Sequence, residues 1–173
     1  MKSKNEKLRL LTLTGVLTAL TTVATLVIQI PTPTKGYINL GDTVVNLSAW
    51  VLGGFYGAFA SGVGSALSDL ISGYTIYAPA TFLIKAIMAL VAFWIYQTCS
   101  KKFHSLPARI LSAVVSEIIM IVGYAVFAGV LYNSLASVWL SIPENLVQGI
   151  FGAGASVMLY ETILKRIPQL KKK

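Results

Sequence analysis

The sequence predicts an all-α integral membrane protein, a bundle of about six transmembrane helices with cytoplasmic N- and C-termini. Three observations carry the prediction. Of 173 residues, 55% are hydrophobic and only 12% charged, and the mean hydropathy of +0.74 lies far above that of ordinary soluble domains. Apolar segments of roughly 20 residues, the length that crosses a bilayer at about 1.5 Å per helical residue, recur along almost the whole chain. Lys and Arg cluster between those segments. No stretch remains for a soluble domain, so residues 1–173 read as a single membrane domain.

The first span runs from about Leu8 to Ile30 and is stopped by Pro31 and Pro33, which cannot continue a helix. The run that follows Lys2, Lys4, Lys7 and Arg9 is too long for a signal-peptide core and lacks a small-residue cleavage site, which makes it a retained helix. Leu40 to Leu52 is a short second span, with Asp42 as a candidate helix starter. It is too short to cross unaided: either it begins within the preceding loop, or it is a partial helix satisfied by its neighbours. Gly53-Gly54 turns the chain into a third span reaching Ser72. A loop over Gly73 to Pro79 leads to the fourth span, Ala80 to Thr98, and Lys101, Lys102, His104 and Arg109 mark a basic turn. The fifth span covers about Ile110 to Tyr132. A loop containing Trp139 then leads to Pro143 as a first-turn residue of the sixth, which continues to about Leu164.

Six spans place the N-terminus, the turn around Lys101 and the C-terminal Lys171-Lys172-Lys173 tail on one side, and these hold all but two of the 14 Lys and Arg, Lys35 and Lys85 being the exceptions. Basic short loops stay cytoplasmic, so the count and the orientation support each other. The net charge of +8 is thus a topological signature and not a nucleic-acid-binding face. One cysteine, Cys99, and one histidine, His104, offer neither a disulfide nor a metal cluster. A phosphate-binding loop, a partnered nucleophile and HExxH are all missing, which argues against an enzyme, a cofactor or self-powered transport by ATP hydrolysis.

An ionisable residue inside a span costs about 2.5 to 3.5 kcal/mol on insertion scales and is a functional candidate by default. Asp69 and Lys85 lie at similar depth on consecutive antiparallel spans, as a pair lining an outward-facing pocket or as a pair that only fixes packing. Glu117 is deeper, with Tyr124 two turns outward on its face; the two line the pocket floor or bond each other. Asn145 and Gln148 share one face at the outer end of the sixth span, with Glu144 beside Gln148. Two amides suit a neutral heterocycle in a mostly apolar site, and interhelical bonding is the competing role. Ridges of small residues run along the third span as Gly54, Ala58, Gly62, Ala66 and as Gly57, Ser61, Ser65 leading to Asp69. They permit close helix packing. Gly15-xxx-Ala19 on the first span is open to a second membrane protein.

Size, six basic-inside spans, Ile38-Asn39-Leu40-Gly41-Asp42 after a Pro-containing loop, Ser68-Asp69-Leu70-Ile71-Ser72-Gly73-Tyr74 ending a Gly-rich span, and Lys85 following Pro79-Ala80-Thr81-Phe82 together resemble the substrate-binding S component of an energy-coupling factor (ECF) vitamin transporter. The branch most similar is that of hydroxymethylpyrimidine or vitamin B6; pantothenate and riboflavin are alternatives. The resemblance implies a bacterial cell-membrane subunit that captures a small vitamin, assembles with a transmembrane coupling protein (the T component) and two ATPases, and releases its load by toppling in the membrane. It implies a pocket of Asn39, Asp42, Asp69, Tyr74, Lys85, Asn145 and Gln148, with Glu117 as a deeper member, tyrosines and Trp139 stacking on the ligand, and Pro31 to Gly41 as a lid. It also implies an Ala-xxx-Ala coupling motif, for which Gly15 and Ala19 stand here. Competing readings are a self-sufficient secondary transporter, against which the lack of an evident inverted repeat counts, and a membrane scaffold.

Overall fold

The computed structural model describes residues 4–32 and 36–167; Lys2, Pro33, Lys35 and Lys171 to Lys173 lie outside them. Six α-helices follow in order: α1 (Lys4–Val27), α2 (Gly41–Leu52), α3 (Gly54–Ile71), α4 (Ala78–Cys99), α5 (Ser105–Tyr132) and α6 (Leu135–Thr162). Between α1 and α2 the chain forms a two-stranded antiparallel hairpin, β1 (Ile30–Pro31) and β2 (Tyr37–Ile38). Four segments are long and apolar enough to span a bilayer: Lys4–Val27, Ala78–Cys99, Ser105–Tyr132 and Leu135–Arg166.

The short α2 is the hub of the bundle. It packs against α1, α3, α4 and α6, and eleven of its twelve residues are buried. Backbone and polar side chains at membrane depth must find partners in protein, and enclosure on all sides supplies them. Gly53, with φ +77°, breaks α2 from α3 in a backbone conformation open to glycine. Close approach then depends on small residues. A Cβ on Gly57 would sit 2.9 Å from the Ser48 carbonyl oxygen, and one on Gly62 the same distance from that of Phe82. Along the α1–α3 contact a Cβ on Gly64 would lie 2.6 Å from the Thr18 carbonyl oxygen. Threonines suit this seam because their hydroxyls bond back to carbonyls one turn earlier, as Thr14, Thr18, Thr21 and Thr25 do. Thr22 also donates across to the Gly64 carbonyl at 2.9 Å.

Three expected boundaries move. The first helix ends at Val27, before the prolines, because the chain from Ile30 onward is spent on the hairpin. Asp42 does not cap α2: Leu40 holds the cap position and no side chain caps it. Pro143 does not start the last helix but lies inside α6, which begins at Leu135. Proline is tolerated within membrane helices; on the turns beside Pro143, Ser141 Oγ donates to the Val138 carbonyl and Asn145 Nδ2 to that of Ser141.

Candidate functional site

The antiparallel course of the helices gathers the described basic residues Lys4, Lys7, Arg9, Lys101, Lys102, Arg109, Lys165 and Arg166 at one end and the β1–β2 hairpin at the other. Beneath the hairpin lies a cavity with an enclosed volume of about 40 Å³. Tyr37, Asn39, Asp69, Lys85, Asn145 and Gln148 are among its lining residues, joined by Tyr77, Thr81, Tyr124 and Glu144.

Its floor is a network of buried polar groups. Asp42 and Asn46 sit one turn apart on α2 and so share a face. Lys85 Nζ donates to Asp42 Oδ1, and Gln148 Nε2 donates to Asp42 Oδ2 at 2.6 Å. One turn deeper, Asn46 Nδ2 donates to Glu117 Oε1 at 2.9 Å, and Ser116 Oγ donates to Asn46 Oδ1 at 2.7 Å. All five of Asp42, Asn46, Lys85, Glu117 and Gln148 are buried. A buried ion pair holds only where further hydrogen bonds satisfy its remaining atoms, and Gln148 provides one of them. Gly149 and Gly152 make room for these groups: a Cβ on Gly152 would lie 2.8 Å from both Asp42 Cβ and Glu117 Oε1.

The hairpin is tied down at two points. Asn39 donates to Gln148 Oε1 from its backbone nitrogen at 2.8 Å and from Nδ2 at 3.2 Å. Tyr37 donates its hydroxyl to Asp69 Oδ1 at 2.6 Å, and its ring packs 4.8 Å from that of Tyr74. Burial, reinforced by the Asp69 carboxylate, holds the Tyr37 phenol well above its ordinary range. It therefore remains a donor at any physiological pH.

The family model described as "ECF-type riboflavin transporter, S component" matches residues 5–166. The chain belongs to this family of ECF-type S components. A Pyrococcus woesei protein described only as an uncharacterized protein in a gap 3′ region is 35% identical over 146 residues, covering 82% of this chain and 95% of that one. Two solved structures share the fold. One, the S component of a bacterial ECF transporter, has a TM-score of 0.68 at 23% identity, covering 92% of this chain and 97% of that chain. The other, an S component for biotin, has a TM-score of 0.72 at 18% identity, covering 96% of each chain. As an S component the chain is a vitamin-binding membrane subunit of a transporter and not an enzyme.

In this S component Asn39, Asp69, Lys85, Asn145 and Gln148 line the cavity. Asp42 lies in the floor, beneath the lining residues Lys85 and Gln148. Tyr74 stands behind Tyr37 and Tyr77, and Glu117 lies deeper, against Asn46. The expected ion pairing changes: Lys85 bonds Asp42, and Asp69 bonds Tyr37. Glu117 and Tyr124 do not bond each other, since Tyr124 donates to Thr81 Oγ1 at 3.1 Å. Trp139 is 72% exposed on α6 and stacks on nothing in the pocket. Asn46 escaped the sequence reading although its i+4 spacing from Asp42 signalled it. Arg109 was read only as a topological marker. It is buried, bonded to Glu161 and to the Tyr96 hydroxyl, with its guanidinium 3.7 Å from the Tyr160 ring centroid.

Proposed function

We propose that this S component captures a single-ring heterocyclic vitamin or precursor, of the hydroxymethylpyrimidine or pyridoxine kind, in the cavity beneath the hairpin. The observation that carries the reading is the cavity itself, with tyrosines on its walls, amides and carboxylates around its rim and a hairpin bonded across its mouth. In support of a mouth that faces outward, the basic residues gather at the opposite end, which the positive-inside rule favours as the cytoplasmic one. Capture is from outside, and the partners are a T component, which couples, and two ATPases, which hydrolyse ATP. Gly15 and Ala19 are the proposed contact with the T component. In support, both line an apolar groove between α1 and α3 with Phe55, Phe59 and Leu67, and a Cβ on Gly15 would meet nothing within 4 Å.

Riboflavin is the second reading, favoured by the name of the matching family. Mass spectrometry of small molecules co-purifying with the detergent-solubilised chain, followed by calorimetric titration, separates the two. A bound pyrimidine or pyridine with sub-micromolar affinity is the expected result. Riboflavin in its place would replace the first reading by the second, and a folded preparation that binds none of these compounds would overturn both.

A further inference from the structure

Resting on that reading of the cavity, the distribution of charge and hydrogen-bonding atoms around it specifies the kind of vitamin it accepts. Among the described lining residues the cation is Lys85, and its charge is already met by Asp42. The amide nitrogens are similarly engaged: Gln148 Nε2 donates to Asp42, Asn145 Nδ2 to the Ser141 carbonyl and Asn39 Nδ2 to Gln148 Oε1. Asp69 and Glu144 place two carboxylates on the wall. Asp69 is only 4% exposed. Its Oδ1 accepts from Tyr37, the Thr81 hydroxyl also faces the carboxylate as a donor, and its buried Oδ2 has no partner among the described residues within 3.5 Å in good hydrogen-bond geometry.

A buried carboxylate oxygen without a partner is costly, and one on a cavity wall gains most from a ligand that brings a donor to it. A ligand bearing a carboxylate or phosphate would instead set a second anion against Asp69 with no uncommitted cation on the described walls. Unpaired like charges of this sort are the usual means by which a site rejects near-relatives of its ligand.

We infer that Asp69 is the specificity-determining residue of the pocket, its Oδ2 accepting an N–H or O–H from the heterocycle, and that the site admits neutral or cationic vitamins while rejecting their anionic forms. Three matched pairs test this on the full chain in detergent: pyridoxine, hydroxymethylpyrimidine and riboflavin, each against its own phosphate ester, with biotin and pantothenate as carboxylate-bearing probes. The expected result is that one unesterified compound binds, that its ester binds at least about 30-fold more weakly, and that both carboxylates fail to bind. Asp69→Asn should weaken the unesterified ligand roughly 10- to 100-fold, the range for losing a hydrogen bond to a charged group, and should narrow its margin over the ester. An ester or carboxylate bound as tightly as the neutral compound overturns the inference without any variant. So does an Asp69→Asn chain that melts normally and keeps its affinity. Asn145→Trp, which fills the cavity, separates the two levels of the argument. Abolished binding there with Asp69→Asn unaffected sinks only the role of Asp69, whereas unaltered binding in Asn145→Trp sinks the cavity as the capture site and this inference with it.

Discussion

Lys85 of α4 and Asp42 of α2 meet as an ion pair inside the bundle, 2% and 0% exposed, with Gln148 of α6 holding the second carboxylate oxygen. Three helices that are not consecutive in the chain are thereby joined at one point. The pair lies where the cavity ends and the apolar core begins, the core being built from Val45, Ile84, Met88, Ala113 and Met120. Lys85 therefore faces the pocket with its charge already met.

Replacing Lys85 alone should destabilise the fold, not merely weaken binding. Removing one partner of a buried pair leaves the other uncompensated, at a cost of about 3 to 5 kcal/mol. Lys85→Met should lower the melting temperature and the yield of monodisperse protein, and adding Asp42→Asn to it should recover part of the loss. Fluorescence-detected size exclusion after heating reads both. A single variant that melts with the unsubstituted chain would show that the pair contributes nothing to stability.

Gln148 accepts two bonds from the hairpin and gives one to Asp42, so it fastens the lid to the floor. Gln148→Leu should speed ligand dissociation by about 10-fold or more, the scale expected for bonds worth about 1 to 3 kcal/mol. Association should change less. Stopped-flow displacement measures the two rates separately, and an unchanged off-rate would remove Gln148 as a latch.

Tyr37 predicts an alkaline limit. Its phenol is raised above the ordinary value of 10.0, so the folded chain keeps the proton where an unfolded phenol loses it. The contribution is full below about pH 10 and is lost as pH rises through the folded value. Tyr37→Phe should be less stable than the unsubstituted chain at pH 8, and the gap should shrink above pH 10. Melting curves of both proteins across pH 8 to 11 give that difference directly.

Two glycines should behave in opposite ways. Gly64→Leu drives a side chain into Thr18 and Thr21 of α1 and should destabilise the bundle by about 1 to 3 kcal/mol, as overpacking does. Gly15→Leu meets open space and should leave melting and vitamin affinity unchanged while stopping ATP-driven uptake in cells that hold the partner subunits. Normal uptake by the Gly15 variant would move the coupling surface away from α1.

Periodicity and length made most of the helices legible, because a bilayer allows few ways of arranging apolar segments. The dependence of α2 on its neighbours followed from its twelve residues, and Gly53-Gly54 located its end. Pro143 misled because proline favours a first turn, whereas α6 already begins at Leu135 and carries it inside. The partner of Lys85 was hidden for a different reason. Adjacency in sequence suggested α3, whereas the fold inserts α2 against α4, and no local pattern encodes which helix stands at the centre. Tyr37 reaches Asp69 only because the hairpin folds back over the helix ends, a tertiary event that the sequence around Tyr37 does not signal.

The central position of α2 also constrains how the chain is made. At about 1.5 Å per residue its twelve residues reach little more than half of a hydrocarbon core about 30 Å thick, and they carry Asp42 and Asn46 into it. When this segment leaves the ribosome its countercharge does not yet exist, since Lys85 follows 43 residues later. Lipid alone does not meet the polar groups of such a helix, so the burial of α2 is complete only once α4 supplies Lys85. The residues that shape the pocket thereby set the order in which the bundle is assembled.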